Sequence, residues 1–334
     1  MKDLIKKLTE AYGPSGYEQP IRELIRAEIE GLADEITVNR LGSLVAQRRA
    51  KPASGGAPTK VMLAAHMDEI GLMVTHIDEN GFLRFAPIGG LNPITLTGGR
   101  VIFGNGAIGV IGVEKRQDRA KAPTLEQLYL DVGAKDKATC QVKVGDAAGF
   151  TRPFEDLGGR LLSKTMDDRI GCAILIETMR QLKQSPHDVY FVFSVQEEAT
   201  LAGAQTSAFQ IKPDVALAVD VTDIGDTPEA PKMAVALGKG PAIKVQDSGM
   251  IAHRGVKELM IKRAEEKRLP YQLEVLRGGT TDAMAIQSTR EGVPSGCLSI
   301  PCRYIHTPSE MVDYDDVLNS VKLLLAILAK PIEI

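Results

Sequence analysis

The chain has 334 residues, 44% hydrophobic and 25% charged, with 40 basic against 43 acidic side chains and a net charge of −3. That length supports a large core with a second module and excludes a disordered or fibrous class, while the balanced charge offers no broad positive field for nucleic acid or anionic lipid. The four cysteines lack CxxC spacing, Lys6 and Lys7 interrupt any secretory apolar stretch, and no run approaches the roughly 18 apolar residues of a membrane span, so a cytoplasmic protein is expected.

In chain order, the pattern predicts a helix over 2–11, a turn at Gly13-Pro14-Ser15-Gly16, and a helix over 18–31 with Pro20 in its first turn. Strands are expected at 35–39 and 43–48, then a loop from Lys51 to Thr59. The apolar run Val61 to Ala65 reads as a strand buried on both faces and ends in His66. Between about 70 and 156 the chain breaks into short β-like pieces, at 72–77, 82–88, 100–103, 107–113 and 140–144, with one helical patch near 124–130. From Leu157 an α/β rhythm returns. Helices are predicted at 168–184, 202–209, 254–268, 281–290 and 314–330, alternating with strands at 189–195, 215–219, 271–276 and 297–303. The expectation is one α/β domain, residues 1–69 and 157–334, carrying an inserted β-rich domain at 70–156.

The chemistry-bearing residues share a position. His66, the pair Glu197-Glu198, Asp220 and His306 each lie at or just beyond the carboxyl end of an apolar strand, the edge where open α/β sheets place their ligand sites. Asp167 precedes a helix and can turn toward the same edge. Two imidazoles and three carboxylates suit zinc or cobalt and exceed the four ligands of one tetrahedral ion, whereas two ions sharing a carboxylate fit the count and leave one Glu spare. Both side chains of Glu197-Glu198 serve one site only if the chain leaves β geometry there.

In this order and spacing, Ala65-His66-Met67-Asp68-Glu69-Ile70-Gly71, Asp167-Asp168-Arg169-Ile170-Gly171, Gln196-Glu197-Glu198, Val219-Asp220, Gly278-Gly279-Thr280 and Arg303-Tyr304-Ile305-His306-Thr307-Pro308 resemble the tetrahedral (TET) dinuclear metallo-aminopeptidases, the group of glutamyl aminopeptidases and proteins labelled cellulase M. The resemblance covers nearly the whole chain. It implies a zinc-peptidase-like mixed β-sheet flanked by helices, with the β-rich insertion as a dimerisation domain, and dimers that assemble into a hollow tetrahedral dodecamer. It implies that His66 and Asp220 hold one divalent metal ion, Glu198 and His306 the other, and that Asp167 bridges them. Asp68 would accept the second ring N–H of His66 and fix its tautomer. Glu197 would be the general base, taking a proton from the bridging water and delivering it to the leaving amine. The substrates would be peptides with a free N-terminus. The chain departs from the family pattern at Asp168, where Asn is usual, and in Gly278-Gly279-Thr280-Thr281-Asp282, which carries an extra Thr.

Other readings are weaker. A deacylase or carboxypeptidase would use the same metal site. An endoglucanase is disfavoured by the absence of Trp and because each well-placed carboxylate is assigned to metal or base duty. A non-catalytic protein of the same fold would be expected to have lost a ligand or the base. His76 and His187 read as ordinary polar residues, and His253 as a loop residue more often remote from substrate than near it. Gly104-Asn105-Gly106-Ala107-Ile108-Gly109 matches GxGxxG, but no helix follows it, so Asn105-Gly106 reads as a hairpin turn.

Overall fold

The computed structural model describes residues 1–51, 58–115, 118 and 120–334; most of the expected loop at 51–59 lies outside them. The chain opens with helices α1 (Lys2–Glu10) and α2 (Gln19–Ile29) and strands β1 (Glu35–Val38), β2 (Leu44–Arg48) and β3 (Lys60–His66). Next come β4 (Gly71–Ile77), β5 (Leu83–Ile88), α3 (Pro93–Leu96), β6 (Arg100–Phe103), β7 (Ile108–Val113), β8 (Leu128–Asp131) and β9 (Ala147–Phe150). The chain continues through β10 (Glu155–Asp156), β11 (Arg160–Ser163), α4 (Met166–Gln181), β12 (Asp188–Ser194), α5 (Glu197–Thr200), α6 (Ala202–Ile211) and β13 (Val215–Thr222). It closes with β14 (Ala242–Gln246), α7 (Arg254–Glu266), β15 (Gln272–Val275), α8 (Asp282–Gln287), β16 (Ser295–Arg303), β17 (Glu310–Asp313) and α9 (Tyr314–Leu328).

Eleven strands form one mixed sheet in the order β1-β2-β12-β3-β13-β16-β17-β11-β10, with β14 and β15 branching from β16. Its centre, β12-β3-β13-β16, is parallel, and parallel strands need both faces covered. One face packs against α1, α2, α4, α7 and α9 through residues such as Ile5, Ile25, Ile174, Met260 and Leu324. The other packs against α6 and α8 through Ala204, Ala208 and Ile286. This two-sided cover explains why β3 and β13 are apolar at successive positions. No described helix is long and apolar enough to cross a membrane.

Strands β4-β5-β8-β7-β6-β9 close into a separate barrel with its own core of Leu72, Val101, Phe103, Leu130 and Phe150. The Asn105-Gly106 reading is met: β6 and β7 pair antiparallel around it, and Gly106 has φ +85°. Two barrel expectations are corrected. Residues 140–144 alternate like a strand but form none, because Lys143 N–H donates to the Asp146 carboxylate at 2.8 Å and Asp146 N–H to the Lys143 carbonyl at 3.1 Å, a turn that moves the strand to β9. The helical patch at 124–130 is a single 3₁₀ turn, Leu125–Gln127, with a Thr124/Gln127 capping box. Strand β8 follows at once, burying Leu128 and Leu130 at alternate positions.

Candidate metal centre

The parallel strands deliver the site. His66 is the last residue of β3, in register with Ser194, the last residue of β12, and Asp220 lies near the end of β13. His306 follows β16 on a loop in which Tyr304 and His306 both have positive φ, 64° and 59°. Asp167 and Asp168 open α4 with non-helical backbone angles, so regular helix starts at Arg169 and Asp167 is free to face the sheet edge. The Glu pair leaves β geometry: Gln196 and Leu201, both left-handed, bound the single turn α5, which carries Glu197 and Glu198. Gly203 permits that turn, since a Cβ there would stand 2.2 Å from the Val195 carbonyl oxygen.

Around Asp167 the side chains converge. Its Oδ1 lies 2.9 Å from His66 Nε2 and its Oδ2 3.3 Å from His306 Nε2. Glu197 Oε2 and Asp220 Oδ1 each lie 3.9 Å from His66 Nε2, and Glu198 Oε2 lies 3.2 Å from His306 Nε2. All six groups named for metal or base duty therefore share one cavity of about 680 Å³. Thr280 and Thr281 line its wall, whereas Asp282 is buried behind it on the Ser194 hydroxyl. His253, His76 and His187 stay outside: His253 caps α7, His76 is exposed on the barrel, and His187 Nε2 contacts the Lys330 carbonyl at 2.9 Å.

A second set of carboxylates holds the backbone beneath these groups. Asp68 accepts N–H bonds from Glu197 and Glu198 at 3.0 and 3.1 Å, and the Ser15 hydroxyl at 2.5 Å. His66 Nδ1 lies 3.2 Å from the Asp68 main-chain carbonyl and 3.4 Å from its carboxylate, so the carbonyl is the nearer acceptor. Asp168 accepts N–H bonds from His66 and Gly171 at 3.2 and 3.0 Å. Both its oxygens are thereby engaged, while those of Asp167 face the two imidazoles. Glu310, 1% exposed, accepts the N–H of Asp167 on one oxygen and that of His306 on the other, each at 2.9 Å. Sequence reasoning passed over Glu310. Its signal was a carboxylate opening an apolar strand four residues after His306, and only pairing could show what it holds.

The electrostatics are those of a crowded anionic hole. Burial raises the carboxyl groups of Glu197, Glu198 and Asp220, the last to about 8, and neighbouring carboxylates raise them further. Burial opposes charge on the imidazoles too, yet Asp167 and Glu198 carry His306 up to about 12, and Asp167 and Asp68 raise His66. Burial likewise works against Asp167, but hydrogen bonds from both imidazoles keep its carboxyl far below the usual range.

The donors fit a cation. Two ligands of one tetrahedral ion lie roughly 3.3 Å apart when each is about 2.0–2.1 Å from it, and the separations here run from 2.9 to 3.9 Å. Glu198 Oε1 is buried without a hydrogen-bond partner. Among the described residues two groupings of donors fall within 4.8 Å of one another, His66-Asp167-Glu198 and His66-Asp168-Asp220. Buried carboxylates in this number need compensating positive charge, and imidazole with carboxylate is the ligand chemistry of zinc and cobalt.

A mixed sheet with two imidazoles and a ring of carboxylates at its carboxyl edge, joined to a closed β-barrel, defines the TET aminopeptidase class of fold. An aminopeptidase of the archaeon Desulfurococcus kamchatkensis has this structure with a TM-score of 0.94 at 43% identity, covering 98% of this chain and 94% of that one. Pyrococcus horikoshii TET1 peptidase, described as assembling into a tetrahedron or a large octahedral shell, gives a TM-score of 0.88 at 33% identity over 98% and 99% of the chains. The lysyl aminopeptidase of Pyrococcus furiosus is 38% identical over 98% of this chain and 96% of its own length. The chain belongs to the M42 glutamyl aminopeptidase family, which it matches over residues 42–323.

Proposed function

We propose that this protein removes N-terminal residues from peptides with two divalent cations, zinc or cobalt, held by His66 and Asp220, by Glu198 and His306, and jointly by Asp167. The observation that carries the reading is the Asp167 carboxylate set between two imidazoles at 2.9 and 3.3 Å. When bound, the cations polarise the scissile carbonyl and lower the pKa of the attacking water. Glu197 is the one carboxylate of the ring left without a ligand role. Half-buried at the cavity wall, with its carboxyl raised well above the usual range by desolvation, it accepts the proton of the attacking water and returns it to the leaving amine. Asp68 positions Glu197 and Glu198 by holding both their N–H groups. The β-rich segment 70–156 serves as the dimerisation domain, and the dimers build a closed shell, as the name of the Pyrococcus horikoshii relative describes for that protein. Such a shell admits unfolded peptides and excludes folded proteins.

Chelation is expected to abolish hydrolysis of amino-acyl amides, and zinc or cobalt to restore it. N-acetylated peptides should resist cleavage. Glu197→Gln should lower kcat by about 10²- to 10⁴-fold while the protein still binds two cations by calorimetry. Full activity in a demetallated sample, or in the Gln variant, would overturn the reading.

A further inference from the structure

Next to the metal-side cavity lies a second one of about 610 Å³. The two share Asp223, Leu276 and Gly278, so they are neighbours across the segment that follows β15. That segment is anchored, because Leu276 N–H donates to the Gln246 carbonyl at 2.9 Å. A peptide whose first residue occupies the metal-side cavity needs somewhere for the rest of its chain, and each further residue extends it by about 3.3–3.6 Å.

The lining of the second cavity is of two kinds. Ile224, Met233, Val275 and Leu276 give it an apolar wall, which accommodates side chains without selecting among them. Lys232, Arg277 and Arg303 supply positive charge. Arg303 is already paired, its Nε 2.9 Å from Asp226. Lys232 and Arg277 are exposed and make no hydrogen bond or ion pair among the described residues. Asp223, the acidic residue of the lining, sits at the junction with the metal side. A leaving chain therefore meets negative charge first, where its amide N–H groups pass, and uncompensated positive charge beyond.

We propose that this second cavity receives the leaving part of the substrate, and that Arg277 with Lys232 binds the C-terminal carboxylate of short peptides. The inference rests on the aminopeptidase reading and narrows it: the preferred substrates are peptides whose free C-terminus reaches Arg277 while the first residue occupies the metal-side cavity. Arginine suits the task because its planar fork matches a carboxylate with two hydrogen bonds.

The test uses the assembled, metal-loaded enzyme and two matched series, X-Gly, X-Gly-Gly and X-Gly-Gly-Gly, each with a free and with an amidated C-terminus. X is the residue cleaved fastest from its simple amide. At the length that reaches Arg277, the free acid should exceed its amide about 10-fold or more in kcat/KM, through KM. In the Arg277→Ala/Lys232→Ala double variant that ratio should fall to near one, and Arg277→Lys should restore part of it. A ratio near one at every length in the wild type, or one the double variant leaves unchanged, overturns the carboxylate assignment and leaves the aminopeptidase reading standing. A wild-type enzyme that cleaves neither series nor the simple amide overturns both.

Discussion

Glu310 joins two proposed ligand positions that lie 139 residues apart, since its two oxygens hold the backbone of Asp167 and of His306. A carboxylate can accept at both oxygens, whereas the amide of glutamine has a single acceptor oxygen. Glu310→Gln should therefore lose one of the two bonds and Glu310→Ala both. Partners that orient metal ligands cost about 10- to 100-fold in affinity when removed, so zinc binding measured by chelator competition should weaken in the order wild type, Gln, Ala. Unchanged zinc affinity in the Ala variant would mean that the two ligand loops keep their places without it. The candidate site residues were readable beforehand because His66, Glu197, Glu198, Asp220 and His306 lie at or just beyond the ends of apolar strands. Glu310 was not, because its role is defined by two N–H groups, one of them 143 residues away in sequence.

Among the elements, α5 shows how backbone geometry decides chemistry. Two adjacent glutamates point to opposite faces of a strand, and one helical turn puts both on the site. Left-handed Gln196 and Leu201 set the turn's limits, and Gly203 lets α6 begin against the end of β12. Gly203→Ala would drive a methyl into the Val195 carbonyl and nitrogen, at 2.2 and 2.5 Å in the present geometry. Neither contact is with a flexible side chain, so the turn must shift. Overpacking of this kind costs about 1–3 kcal/mol. The expected result is a lower urea midpoint together with a fall in kcat larger than an Ala substitution at exposed Gln205 produces; equal activity of the two variants would show that the turn absorbs the methyl without moving Glu197. The need for a departure from strand geometry was legible at Glu197-Glu198. The missed sheet strands β10, β11, β14 and β17 were not, because each is short and is defined by its pairing.

For the whole molecule, the barrel presents apolar side chains to solvent on the isolated chain. Ile108 and Val110 alternate with buried Gly109 and Ile111 along β7, and are 58% and 44% exposed. We place the proposed dimer contact on this strand face, because apolar side chains exposed side by side are buried when a second chain packs on them. Ile108→Asp with Val110→Lys should shift the assembly to smaller species in light-scattering chromatography while leaving the secondary structure intact; an unchanged mass would place the interface elsewhere. From sequence alone came the alternation of elements, the β-rich interruption and the strand-end positions of the reactive residues, because periodicity and burial are local properties of the chain. Folding alone decided that backbone N–H groups occupy both oxygens of Asp168, that Asp68 and Glu310 clamp the loops beneath the site, and that residues 140–144 turn instead of pairing. Those outcomes depend on which backbone N–H groups are left unpaired at the sheet edge and which carboxylates lie close enough to take them, and a linear pattern carries no such distances.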